Sequence, residues 1–353
     1  MDDLEDLRGR CERSLNWNGT PNAADVLAAI PAELGVDRYG KGGAVEALEA
    51  RVCELLGKPA AVFMLSGTMA QQIAIRIHAD RSGVRTFGFH PTCHLELHED
   101  KAYQHLHSLI GLPTGDARSL LTLDDLASVD EPLAAFLFEL PQREIGGRLP
   151  EWSDLTEQVA LLRGRGVAVH LDGARLWECT PFYGKPVAEI AGLFDSVYVS
   201  FYKGLGALAG CCLAGDAELI GRARAWRTRH GGTLFGMWPN AASAFAALDG
   251  KLPLVPRYYE HALAIATALE RIDEVEVVPD PPQTPMMHLH LRVSKERFLD
   301  RARRIAEDRG IFTWPRSFPT DTPSIRRVEL TVGDATLTFG PDEVAKLVED
   351  LVG

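Results

Sequence analysis

The sequence predicts an α/β fold: a mostly parallel sheet covered by helices on both sides, followed by a smaller C-terminal α+β domain. Three observations predict it. Short apolar runs of strand length recur along the first two thirds of the chain, amphipathic stretches ending on glycine lie between them, and two prolines in KLPLVPRYYE break the pattern near residue 253. At 353 residues the chain exceeds what one minimal core needs, so a second domain is expected.

Taken in order, residues 1–25 form an N-terminal segment, 26–252 the large α/β domain and 253–353 the small domain. GAVEALEARVCELL (43–56) has helical apolar spacing and stops at Gly57. AAVFML (60–65) reads as a strand and SGTMAQQIAIRIHA (66–79) as the helix after it. AAFLFEL (134–140) is a buried strand, SDLTEQVALLRGRG (153–166) a helix, VAVHLD (167–172) a strand ending on an acid, and SVYVSF (196–201) a strand ending just before Lys203. Alternating strands and helices form βαβ units, which build parallel sheets buried on both faces. A helix near 240–249 and another around 257–272 follow, then VEVVPDPPQTP, the most loop-like stretch. MHLHLRV, KERFLDRARRIAEDRG, RRVELTV and PDEVAKLVEDLV read as strand, helix, strand, helix.

Composition excludes several classes. The net charge is −12 with the acids scattered, so the basic patch a nucleic-acid partner requires is missing. No run approaches the roughly 18 apolar residues of a membrane span, and MDDLEDLRGR lacks a signal core. The six cysteines form no CxxC pair, the pattern of reduced thiols in the cytoplasm, and Cys211 and Cys212 read as core.

A parallel sheet gathers functional groups at the carboxyl ends of its strands. Ser66-Gly67-Thr68 lies between a strand and a helix, where free amides and the helix dipole favour a phosphate, although alone it reads as an ordinary N-cap. Asp172 ends an apolar strand, and its desolvation must be repaid by a partner: Arg175 or a protonated pyridine nitrogen. Lys203 follows a buried strand and precedes small residues. Burial there lowers an amine pKa and frees it to form an imine, whereas a snorkelling lysine is the plainer reading of that residue alone. Ser200 adds a hydroxyl. An anion site, a carboxylate and a lysine are together what pyridoxal 5′-phosphate needs, and His94 is a candidate flat lid for its ring.

These residues also carry a resemblance. YGKGGAVEALEARVCELLGKPAAVFMLSGTMAQQ, VHLDGARLWE and DSVYVSFYKGLGALAGCCLAG resemble the threonine aldolase and β-eliminating lyase family, from about Tyr39 to Leu248. The resemblance implies the aspartate-aminotransferase-like fold of fold-type-I pyridoxal phosphate enzymes, with a site commonly built at a subunit boundary, hence a homodimer or homotetramer. It implies that Lys203 holds the cofactor, Asp172 pairs with its ring nitrogen, Ser66, Gly67 and Thr68 cradle its phosphate and His94 stacks on the ring. Arg175 would help hold the substrate carboxylate, with Arg326 or Arg327 as the second arginine.

The sequence departs from the family in the substrate half. LPQREIGGR stands where aldolases carry Asn-Thr-His-Asn before a Gly-Gly turn, which puts Gln142, a substrate-binding candidate, near the histidine position. HGGTLFGMW replaces a Gly-Met-Arg-Gln segment, and RSLNWNGT replaces Arg-Ser-Asp-Thr. Trp17, Phe235 and Trp238 could line a more apolar pocket, but each reads first as core. Five histidines fall between 90 and 107; His94 and His98, four apart, match the spacing of metal ligands on a helix but lack a metal signature, so no metal is expected. His288 and His290 read as a sheet-face pair. The expected activity is cleavage of the Cα–Cβ bond of a β-hydroxy amino acid to glycine and an aldehyde. The alternative is another lyase or transferase acting at Cα or Cβ of a small amino acid, possible in specialised metabolism. A cofactor-binding module without turnover would need a DNA-binding or partner surface that no extension supplies.

Overall fold

The computed structural model describes residues 2–15, 17–19, 22–31 and 33–353; Asn16 and Thr20 of RSLNWNGT lie outside the described residues. The chain divides into two units, one of residues 27–145 and 149–253, the other of residues 1–26, 146–148 and 254–353.

The larger unit is built on a seven-stranded sheet. In chain order its strands are β1 (Ala60–Met64), β2 (Thr86–Phe89), β3 (Ile110–Pro113), β4 (Ala135–Glu139), β5 (Ala168–Gly173), β6 (Ser196–Ser200) and β7 (Cys211–Gly215). Across the sheet the order is β1-β7-β6-β5-β4-β2-β3. Only β7 runs antiparallel to its neighbours, so the sheet is mostly parallel. Period-2 alternation splits most of its side chains between two cores, and Phe87, Phe89, Ala135 and Leu137 join a third. Phe63, Phe136, Val169, Val197 and Cys212 meet α1 (Gly43–Leu56), α5 (Trp152–Gly164) and α7 (Trp238–Lys251). Val62, Met64, Tyr198, Cys211 and Leu213 meet α2 (Gly67–Ser82) and α6 (Ala217–Arg229). Phe136 and Val197 are fully buried, each burial contributing about 1.5–3 kcal/mol. Helix α1 starts at Gly43 and ends on Gly57 in the left-handed region, the residue type a helix stop favours. The short helices α3 (His94–Leu97) and α4 (Ala102–His107) lie between β2 and β3.

In the smaller unit, β8 (Val275–Val278), β9 (Met286–Leu291), β10 (Phe318–Pro319) and β11 (Arg326–Thr331) form an antiparallel sheet ordered β10-β11-β9-β8. Its core is shared with α8 (Val255–Leu269), α9 (Lys295–Arg309) and α10 (Pro341–Val352). Residues 1–26 cluster with this unit, whereas the sequence sets 1–25 apart.

Two expectations are corrected. VEVV is strand β8, not loop; the prolines that follow disguise it, yet Val277 packs into the core opposite Leu289. Phe235 is 65% exposed rather than core, with its ring edge-on to Tyr39 at 5.5 Å. Trp17 and Trp238 are half-buried. His288 and His290 share one face of β9, opposite Glu329 and Arg327 of β11, as a sheet-face pair does. Cys211 and Cys212 are fully buried. Among the described residues no helix is long and apolar enough to cross a membrane.

Candidate active site

Of the sequence-predicted cofactor residues, Ser66, Gly67, Thr68, Asp172, Arg175, Ser200 and Lys203 lie at or just beyond the carboxyl ends of β1, β5 and β6, and His94 follows β2. Register explains why: Asp172 of β5 pairs with Tyr198 of β6, so Asp172 and Ser200 finish neighbouring strands. A buried hydrogen-bond chain fixes these strands and α2 together. His170 of β5 meets Gln71 Oε1 of α2 at 2.6 Å through Nε2 and Ser196 Oγ of β6 at 2.7 Å through Nδ1, and His78 Nε2 reaches the same hydroxyl at 2.8 Å. The helix that starts the anion site is thereby tied to the two strands that carry the acid and the lysine.

Ser66 is the extended N-cap of α2, and its side chain makes no capping bond; Gly67 begins the helix and Thr68 is half-buried. A Cβ on Gly67 would come within 2.3 Å of the Tyr198 hydroxyl, so only glycine lets the first turn approach β6 this closely. Asp172 is buried and accepts the Ala174 N–H at 3.1 Å. Lys203 sits in the turn after β6, where the Trp177 indole N–H donates to the Ser200 carbonyl at 3.1 Å. Burial lowers the Lys203 amine below the usual lysine range, while the Asp172 carboxylate pulls it back up. Ser200 is buried, and its hydroxyl lies beside that of Tyr202.

His94 opens α3. Its backbone N–H donates to Glu139 Oε2 at 3.0 Å, and its ring Nδ1 lies 3.0 Å from Glu99 Oε1, so Glu139 fixes the backbone and Glu99 the ring. Arg175 is buried, with Glu178 Oε1 at 3.8 Å from its guanidinium. Gln142 is buried and donates to Thr92 Oγ1 at 3.2 Å. Arg326 and Arg327 belong to the smaller unit. Arg326 is engaged with Ser317, to the hydroxyl at 3.1 Å and the carbonyl at 2.7 Å; Arg327 takes the opposite face of β11, its guanidinium 5.6 Å from the Phe318 ring centre.

Sequence reasoning missed Glu139. It pairs in register with Asp172, accepts the N–H groups of His94 and Arg143, and is pushed up to about 7 by burial and then by the Asp172 charge. Its signal was available: AAFLFE ends on an acid as VAVHLD does. Glu99 was missed too, because nothing in the one-dimensional pattern pairs it with His94. Among the described residues no cluster of three or more His, Cys, Asp or Glu could hold a metal.

A phosphate-bearing pyridine aldehyde suits this donor set. It requires an anion cradle, a buried acid and a buried amine of lowered pKa, and the buried Ser200 hydroxyl supplies a further donor.

The fold and these strand-end groups define an enzyme class built on the fold-type-I scaffold. Similar solved chains include one from Listeria monocytogenes, provisionally named an L-allo-threonine aldolase (37% identity, 99% of this chain and 98% of that one, TM-score 0.93). Another, from an Exiguobacterium species, is provisionally named an aromatic amino acid β-eliminating lyase/threonine aldolase (36% identity, 99% and 98% coverage, TM-score 0.93). The low specificity L-threonine aldolase of Escherichia coli is 31% identical over 70% of this chain and 76% of its own. The family model described as beta-eliminating lyase matches residues 18–292, and the chain belongs to that family.

Proposed function

We propose that the protein is a pyridoxal 5′-phosphate-dependent aldolase that cleaves a β-hydroxy amino acid of the threonine type to glycine and an aldehyde. The observation that carries this reading is that Asp172 and Lys203 follow adjoining strands while Gly67, in Ser66-Gly67-Thr68, packs against Tyr198 of the strand before Lys203, in a chain similar to threonine aldolases over most of its length. Bound there, the cofactor would draw off the electron pair released at Cα.

The chain's own residues have separate tasks. Lys203, its amine pKa lowered by burial, holds the cofactor aldehyde; Asp172 keeps the ring nitrogen protonated. Ser66, Gly67, Thr68 and Ser200 take the phosphate, and His94, steadied by Glu139 and Glu99, covers the ring. Arg175 binds the substrate carboxylate, where a forked guanidinium suits the geometry, and Arg326 or Arg327 is the second candidate for that role. Gln142 is a further candidate for substrate binding. Six free cysteines support a cytoplasmic setting, and the likeness to fold-type-I enzymes supports a homodimer or homotetramer.

Gln142 also favours a second reading, a different Cα- or Cβ-bond lyase or transferase, because an amide cannot move a proton. Incubating the cofactor-loaded protein with L-threonine and L-allo-threonine separates the two. Glycine and acetaldehyde in equal amounts are expected; 2-oxobutyrate and ammonia instead would replace aldol cleavage with β-elimination.

A further inference from the structure

We propose that His98, oriented by Glu144, exchanges the proton of the substrate's β-hydroxyl and so takes the place of the histidine that Gln142 replaces. This deepens the aldolase reading and rests on it.

His98 closes the short helix that His94 opens. Its backbone N–H donates to the His94 carbonyl at 2.9 Å, and the two imidazole centres stand 5.0 Å apart at 49°. His98 therefore adjoins the ring assigned to cover the cofactor. Its Nε2 lies 3.0 Å from Glu144 Oε1, and the Glu144 side chain is only 14% exposed while that of His98 is 40% exposed. A carboxylate on Nε2 fixes the tautomer that carries its hydrogen there, leaving the Nδ1 lone pair as the base. Glu144 lies two residues beyond Gln142, in the turn after β4. The turn that lacks a histidine thus presents a carboxylate to a histidine on the facing segment. Gln142 itself is buried, donates to Thr92 and cannot titrate.

The charged and titratable groups around His98 are Glu144, Arg143 (bonded to the same Glu144 oxygen at 2.9 Å) and His94, with Glu99 on the Nδ1 side of His94. In cleavage, the β-hydroxyl gives its proton to Nδ1, the oxygen and Cβ form the aldehyde C=O, and the Cα–Cβ bond breaks with its electron pair left at Cα. Glu144 offsets the charge on the imidazole. That proton, passed from His98 through solvent to Cα, completes glycine and leaves the imidazole neutral again.

The test compares the holoenzyme with its His98→Asn and Glu144→Gln variants, with His105→Ala as a control on the next helix. In the unchanged protein, L-serine should bind about tenfold tighter than L-alanine by calorimetry, the two ligands differing only in the hydroxyl. His98→Asn should abolish that difference and lower kcat for L-threonine by about 10²-fold or more with KM little changed. Glu144→Gln should move the acid limb of the kcat/KM profile to lower pH, because the imidazolium loses its counter-charge, an effect that a purely structural role would not produce. If the unchanged protein cleaves threonine but His98→Asn keeps the serine preference and most of its kcat, and Glu144→Gln leaves the acid limb in place, this proposal fails alone. If the unchanged holoenzyme releases no glycine, the aldolase reading fails and takes this one with it.

Discussion

Glu139 and Asp172 stand side by side at the ends of β4 and β5, and burial and then the Asp172 charge push Glu139 up to about 7. Glu139 accepts two backbone N–H groups, so it fixes the segment carrying His94 whether or not a ligand is present. Its titration opposes that of the buried histidines. Burial lowers His78 and His107 to about 4 and His170 to about 3, so between those values and about 6.5 the unfolded chain binds more protons. Stability should therefore rise as pH climbs from about 4 to about 6.5. Glu139 is raised instead: its contribution is complete below about 4.5 and is lost as pH rises through about 7, where the folded state holds the extra proton. Urea midpoints of the apoprotein between pH 4.5 and 6.5 should rise with pH, and more steeply in Glu139→Gln than in the unchanged protein. Equal slopes would show that Glu139 titrates as an ordinary carboxyl.

At the scale of elements, α2 does the most to shape the site. Its first turn must pass within contact of β6, and Gly67 makes that possible, while the Gln71–His170–Ser196–His78 chain anchors its second and later turns. Gly67→Ala should push the helix N-terminus off Tyr198 and weaken cofactor binding by tenfold or more, with smaller loss of stability, because the helix interior is untouched. Adding Tyr198→Phe removes the hydroxyl that the new Cβ meets first and should recover part of the affinity, although the ring carbon behind it, at 2.8 Å, keeps the recovery incomplete. Measured by equilibrium titration with pyridoxal 5′-phosphate, unchanged affinity in the single variant would remove Gly67 from the anion site.

For the whole molecule, the large sheet is legible in the sequence because a parallel strand buried on both faces is a continuous apolar run, and its terminal polar residue stands out: Asp172 after VAVHL, Lys203 after SVYVSFY, Ser66 after AAVFML. Glu139 carries the same signal, but it lies inside AAFLFEL, which reads as one buried strand through Leu140. The His98–Glu144 contact spans 46 residues and joins two turns, and no local periodicity reports on such a pair. The same holds for Phe235, whose exposure follows from its loop rather than from its side chain. Strand β8 is obscured because Pro279, Pro281 and Pro282 follow it, and proline signals a loop whatever precedes it. Arg326 and Arg327 alternate across β11, a difference that only cross-strand register can express.

The entire functional account depends on which lysine bonds the cofactor. Borohydride reduction of the protein loaded with pyridoxal 5′-phosphate, followed by peptide mapping, identifies it. The expected result is one stable adduct, on Lys203, absent from Lys203→Ala. An adduct on another lysine that survives in Lys203→Ala, or no adduct at all, would contradict it.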